Sequence, residues 1–198
     1  MFTQILSKQT RLFSTNRGNL YSADSMVLYK VLGLIFLGTL SRLMPHPPNF
    51  TAISAIALFG ICTFGSLRIT LFTTFTSMFL TDLVFGFHAH LVFVYAGFGL
   101  IALMGYKLKS TSSLLTTSLL ITVSSLLFFI VTNFGVWLVS PLYPKTFEGL
   151  ILCYLAALPF LSNDLVGTLL YGGVLFGPYA FLRAESIYIR FPQPSCVM

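Results

Sequence analysis

From Met26 to Leu182 the chain is a succession of apolar runs, broken only by short polar or proline-rich interruptions. Several runs approach the ~20 residues needed to cross a hydrocarbon core. Lipid offers backbone amides no hydrogen-bond partners, so runs of this kind fold as helices that satisfy themselves. Charge is too scarce for another solution: Asp, Glu, Lys and Arg make up 8% of the 198 residues, against roughly 25% in a soluble domain. Mean hydropathy is +0.89 and the chain holds 21 Phe. A soluble enzyme domain, a disordered tail and a nucleic-acid binder are excluded. The expected fold class is all-α, an integral membrane bundle.

The interruptions divide the chain. A first span covers 26–44 and ends at Pro45-His46-Pro47-Pro48-Asn49, where successive prolines remove backbone donors and bias their predecessors away from helix. Further spans are expected over 51–65, 68–87, 90–106 and 114–139, the last closed by Pro141 and Pro144. The second is short, so it either continues at an angle past Gly65 or is sheltered by neighbours. Residues 147–158, ending at Pro159, are too few to cross and read as a short interfacial or buried helix, and 164–182 as the last span. This gives six transmembrane helices plus one short helix. Residues 1–25 form a basic flexible cytoplasmic tail, 26–183 the transmembrane bundle, and 184–198 a second cytoplasmic tail. The Ser, Thr and Arg content of the first tail also permits an organelle transit peptide.

Positive charge orients the bundle. With six spans, Lys8, Arg11, Arg17, Lys30, Arg68, Lys107, Lys109, Arg183 and Arg190 fall on one side, against Arg42 and Lys145 on the other. The first side is therefore read as cytoplasmic, with both termini there. A seventh crossing would move Arg183 and Arg190 outside. Cys62, Cys153 and Cys196 have neither metal-type spacing nor a disulfide framework.

Placed on these spans, the polar side chains gather near the outer surface. Arg42, His46 and Asn49 stand at the end of the first span and in its loop, and Asp82, His88 and His90 about the third and fourth. Asn133, Trp137, Tyr143 and Lys145 stand at and beyond the end of the fifth, and Asn163 and Asp164 open the last. Ionisable groups at such a depth are costly unless paired or wet, so the cluster points to a cavity facing outward. Arg42 and Lys145 would attract an anionic group, Asp82 and Asn133 would hydrogen-bond it, and Trp137 and Tyr143 would cover a ring; His46 and Asn49 complete the substrate-binding set. Each residue also has a plainer reading. Trp137 and Tyr143 fit an aromatic belt, Lys145 can snorkel, and Asp164 can cap a helix start. Asp82 either pairs with Arg42 or meets the solute, and Asn133 serves equally as an interhelical hydrogen bond. The inner half carries small residues at helical spacing, Ala57 with Gly60, Ala102 with Gly105, and Gly173 with Gly177. These suit close packing within the bundle or docking of a partner subunit.

Other chemistries find little footing. Gly97-Phe98-Gly99-Leu100-Ile101-Ala102 copies a dinucleotide fingerprint but lies inside a membrane helix with no strand before it. No Walker A sequence is present, so the chain cannot power ATP-driven transport alone. His88 and His90 with Asp82 and His46 would need an irregular loop to share a metal, and no metal or other cofactor is expected. Asp82 and Asp164 could form an intramembrane aspartyl pair, but nothing in their flanks supports hydrolysis, and no catalytic residue is assigned.

The string from Ser41 to Thr51, with its Arg-x-x-Pro-His-Pro-Pro-Asn core, the run Asn133-Phe134-Gly135-Val136-Trp137, and Tyr143-Pro144-Lys145-Thr146 followed by Cys153 to Phe160 resemble an uncharacterised bacterial family of membrane transport proteins. That family is itself similar to the substrate-binding S components of energy-coupling-factor (ECF) vitamin transporters. The resemblance covers about residues 30 to 180. It implies an S-component-like bundle in the inner membrane that captures a small solute from outside, with the lipid bilayer and a membrane coupling subunit driven by cytoplasmic ATPases as partners. One departure concerns the last span, where the family carries an acid and this chain has Thr168, with Asp164 a turn earlier. The alternatives are an aspartate-dependent membrane enzyme and a ligand-free structural subunit.

Overall fold

The structure, a computed structural model, describes residues 24–108 and 114–186. The tail expectations for 1–23 and 187–198, including Lys8, Arg11, Arg17, Arg190 and Cys196, lie outside the described residues, as does Lys109. Six helices follow in order: α1 Asp24–Leu43, α2 Ile53–Phe64, α3 Leu67–Phe85, α4 Leu91–Leu108, α5 Leu114–Val139 and α6 Phe147–Ser186. No strand occurs among the described residues. The turns of α1 up to Gly33 belong to a separate compact unit, and the bundle described below begins at Leu34. By length and composition, α1, α3, α5 and α6 are long and apolar enough to cross a membrane, whereas α2 and α4 are shorter apolar helices.

The bundle is organised around α2. Its twelve residues reach only about 18 Å, less than a hydrocarbon core, yet residues from Ile53 to Leu58, with Gly60 and Ile61, are buried. A helix apolar on every side belongs in the middle, and α3, α4, α5 and α6 all pack against it. Its start is tied to α1 through Ser41, whose hydroxyl donates to Gly38 O at 2.9 Å and accepts the Ala52 N–H at 3.1 Å. Its end is closed by Gly65 at φ 61°, a left-handed position whose N–H returns to Ile61 O at 2.9 Å. Shelter by neighbours, one of the two expectations for this segment, is what accommodates its short length.

The helix α3 is built inside out. Thr70, Thr73, Thr74, Ser77, Thr81 and Asp82 are buried, while Phe72, Phe79, Leu80, Leu83, Val84 and Phe85 are exposed. Most of these hydroxyls stay satisfied by bonding back along their own helix, Thr73 to Ile69 O at 2.8 Å and Ser77 to Thr73 O at 2.9 Å among them. Small polar groups inward and large apolar groups outward is the pattern expected where the surroundings are lipid. The small faces are used here as well. A Cβ on Gly38 would stand 2.8 Å from Ser77 Oγ, and one on Gly60 2.9 Å from the Thr70 methyl. Gly173 and Gly177 meet nothing within 4 Å.

The segment after Pro144 differs from the expectation. The short helix over 147–158 and the last span over 164–182 are one continuous helix, Phe147–Ser186, which runs through Pro159 and Pro178. The described residues therefore hold six helices, and the separate seventh is absent among them. Proline removes one amide and disturbs one carbonyl, a local cost of about 3 kcal/mol, and α6 packs against α5 and α2. Ser162 donates back along α6 to Pro159 O at 2.8 Å, and Tyr154 donates to Ile130 O at 2.7 Å, which ties α6 to α5 on the amino-terminal side of the proline. At 40 residues α6 is about 60 Å long, roughly twice a hydrocarbon core.

Candidate functional site

A cavity of about 550 Å³ opens where all six helices converge. It is lined by Arg42 at the end of α1, the 46–51 loop, Ile53 at the start of α2, Met78 and Phe85 late in α3, and Leu91, Val94 and Phe98 early in α4. Phe128, Thr132 and Asn133 from the second half of α5 and Cys153, Ala157 and Asp164 from the first half of α6 complete it. Carboxyl and amino ends thus alternate helix by helix, as they must when successive helices run in opposite directions. The expected gathering of polar groups at one end follows from that alternation.

Of the eight residues expected to bind substrate, Arg42, His46, Asn49, Asn133 and Tyr143 line the cavity. His46 lies over the turn, its ring nitrogens 2.7 Å from Pro47 O and 3.3 Å from Arg42 O. Asn49 adopts φ 66°, a left-handed position that asparagine tolerates better than most residues. It turns the chain so that the Phe50 N–H bonds Pro47 O at 3.0 Å. Asn133 donates to Phe129 O at 2.8 Å.

Asp82 does not line the cavity. It is fully buried and engaged on both oxygens: Arg42 Nη2 lies 3.0 Å from Oδ1, and Tyr95 donates to Oδ2 at 2.7 Å. The same guanidinium reaches Met78 O at 3.4 Å and lies 6.0 Å from the centre of the Phe85 ring. Tyr95 was not anticipated, although a signal exists. Asp82 precedes the 86–90 loop by about one turn and Tyr95 follows it by about one turn, which puts them at one depth on adjacent helices.

Trp137 and Lys145 also stand apart from the lining. Trp137 Nε1 donates to Pro144 O at 3.0 Å, and the Lys145 ammonium donates to the carbonyls of Trp137 and Ser140 while lying 5.8 Å from the indole centre. Together they clasp the α5–α6 turn. His88 and His90 sit in an irregular loop with ring centres 3.9 Å apart. Burial, and then the neighbouring His88, hold the His90 imidazole below its ordinary pKa of 6.5. No group of three or more His, Cys, Asp or Glu suited to a metal occurs among the described residues.

Asp164 was expected at the opening of a helix. It lies instead about 26 Å along α6, so it caps nothing. It is buried, lines the cavity, and accepts one long hydrogen bond from Ser54 Oγ at 3.4 Å. Asn163, beside it, donates to Pro48 O at 3.1 Å and ties α6 to the proline loop. Cys153 and Thr132 are further lining residues that their apolar sequence surroundings concealed.

No curated protein and no solved structure matches the chain. A family profile matches residues 23–193, nearly the whole of the helical region. The chain belongs to that family, described as a family of unknown function (DUF6580).

Proposed function

We propose that this is a multi-pass protein of the bacterial inner membrane that captures a small polar solute, of vitamin or precursor type, in a cavity open to the outer face. In this reading both termini are cytoplasmic, and delivery requires a membrane coupling subunit driven by cytoplasmic ATPases. The cavity itself carries the reading: its volume falls within the roughly 300–1,000 Å³ of small-molecule sites, and its wall mixes apolar groups with Arg42, His46, Asn133 and Tyr143. The likeness to S components is an analogy of sequence and supports the substrate class alone. Gly173 and Gly177, left open on α6, offer a face where a coupling subunit would sit close.

Native mass spectrometry of the full chain in mild detergent tests this. A retained small molecule that disappears in His46→Ala and Asn133→Ala, with an ATPase-containing partner alongside, is the expected result. A folded chain that neither retains nor accepts any solute would overturn it. One observation favours a second reading, a ligand-free structural subunit: Arg42 and Asp82, opposite charges at this end, already satisfy each other.

A further inference from the structure

Two formally charged side chains line the cavity, Arg42 and Asp164. Arg42 meets Asp82 at 3.0 Å; Asp164 has no ion-pair partner among the described residues. Asp164 is 3% exposed, and its Oδ2 lacks any hydrogen-bond partner there. Its surroundings are oxygen-rich and uncharged. Ser54 from α2 donates to Oδ1 at 3.4 Å, and Ser125 from α5 stands beside the carboxylate without the geometry of a good hydrogen bond. Thr168 follows one turn along α6, on the same face. Ser125 and Thr168 are fully buried, and both hydroxyls lack partners among the described residues. Three helices therefore bring one carboxylate and three hydroxyls together, with several lone pairs unspent. Buried polar groups are normally bonded, so a local cluster of unsatisfied oxygens around an unpaired negative charge calls for an occupant that accepts oxygen ligands and supplies positive charge.

Carboxylate and hydroxyl oxygens are hard donors suited to hard cations. A single acid neutralises a single charge, and Asp82, the other buried acid among the described residues, is already paired with Arg42, so the charge balance selects a monovalent ion. The three hydroxyls are not part of the cavity lining. An ammonium carried on an organic solute would be confined to the cavity side, where only Asp164 reaches it, whereas a bare ion can sit behind the wall among all the oxygens. We propose that Asp164, with the hydroxyls of Ser54, Ser125 and Thr168, forms a site for a dehydrated alkali cation of the sodium class at the floor of the cavity. The site goes beyond solute capture and does not depend on which solute the cavity takes.

Equilibrium binding of radioactive sodium to the purified full chain in detergent is the test, with ionic strength held constant by choline chloride. The expected result is saturable binding of one ion per chain, competed by unlabelled sodium but not by choline. Binding should be lost in Asp164→Asn and weakened in Ser125→Ala and Thr168→Val, but kept in His46→Ala. The Ser125 and Thr168 variants keep the carboxylate, so they remain informative if Asp164→Asn does not fold. Absence of saturable binding would overturn the site, leaving a protonated carboxyl there. Sodium binding that Ser125→Ala and Thr168→Val leave unchanged would overturn it too.

Discussion

Arg42 and Asp82 meet at 3.0 Å where the end of α1 packs beside α3, the arginine side chain 17% exposed and the aspartate side chain 1%. A buried pair of this kind is asymmetric in its energetics. Removing one partner strands the other charge, so Arg42→Ala is expected to cost about 3–5 kcal/mol. Replacing both with apolar residues of similar size, Arg42→Met with Asp82→Leu, should recover most of that loss. Reversible unfolding in mixed micelles measures the stability. The double variant also separates the two readings of the cavity: it should fold in either case, and should lose a bound solute only if Arg42 contacts one.

Tyr95→Phe removes the second partner of the same carboxylate, a 2.7 Å hydrogen bond to a charged acceptor. The expected cost is about 1.5–3 kcal/mol. Because Tyr95 and Arg42 serve one group, their effects should not add. A double-mutant cycle that came out additive would mean that the two contacts are energetically separate.

Glycines of equal appearance in the sequence should behave differently. Gly60→Ala drives a methyl to 2.9 Å from the buried Thr70 side chain and should cost about 1–3 kcal/mol, relieved by Thr70→Ser. Gly173→Ala meets nothing within 4 Å, and Gly173 lies in a helix where alanine is the better former. Thermal stability of the isolated chain should be unchanged or slightly raised.

The contrast shows what could be read without the fold. Composition establishes helices of membrane length, the 45–49 cluster marks the break after α1, and the shortness of α2 already allows shelter by neighbours. Pairing of Arg42 with Asp82 stood among the alternatives because each is too costly to bury alone. Continuity of α6 was not legible, since Pro159 announces a lost hydrogen bond but not whether packing against α5 and α2 holds the helix through it. Asp164 was misplaced for the same reason: after an assumed break, Ser162-Asn163-Asp164 reads as a helix start. Trp137 and Lys145 were expected in the cavity, yet both turn to carbonyls of the α5–α6 turn, a choice fixed by loop geometry that residue type does not reveal.

Acid should weaken the 86–90 loop, which lines the cavity through His88 and His90. Burial and the adjacent His88 depress the pKa of His90 below its unfolded value of 6.5. The unfolded chain therefore binds more protons just below 6.5, and stability rises with pH in that window. Read downward, the contribution is intact above 6.5 and is lost as the pH falls through the depressed value. Melting temperature measured from above to below 6.5 should drop in the natural chain, less in His88→Gln, and least in His90→Gln. Equal drops in all three would remove His90 as the cause.

Alternation of helix ends around the cavity fixes which labels must share a side of the membrane. Asn49 precedes α2, Tyr143 precedes α6, and both line the cavity; Arg68 opens α3 at the opposite end of the bundle and is exposed. The proposed orientation puts the Arg68 side in the cytoplasm, following the charge bias expected from the sequence. In a background with Cys62, Cys153 and Cys196 replaced, a membrane-impermeant maleimide added to intact cells should label Asn49→Cys and Tyr143→Cys. Arg68→Cys should react only after the cells are opened. The reverse pattern would turn the cavity toward the cytoplasm and overturn capture from outside. Labelling of Asn49→Cys and Tyr143→Cys from different sides would break the alternation itself, since it would require an odd number of crossings between the two positions where α2 to α5 supply an even one.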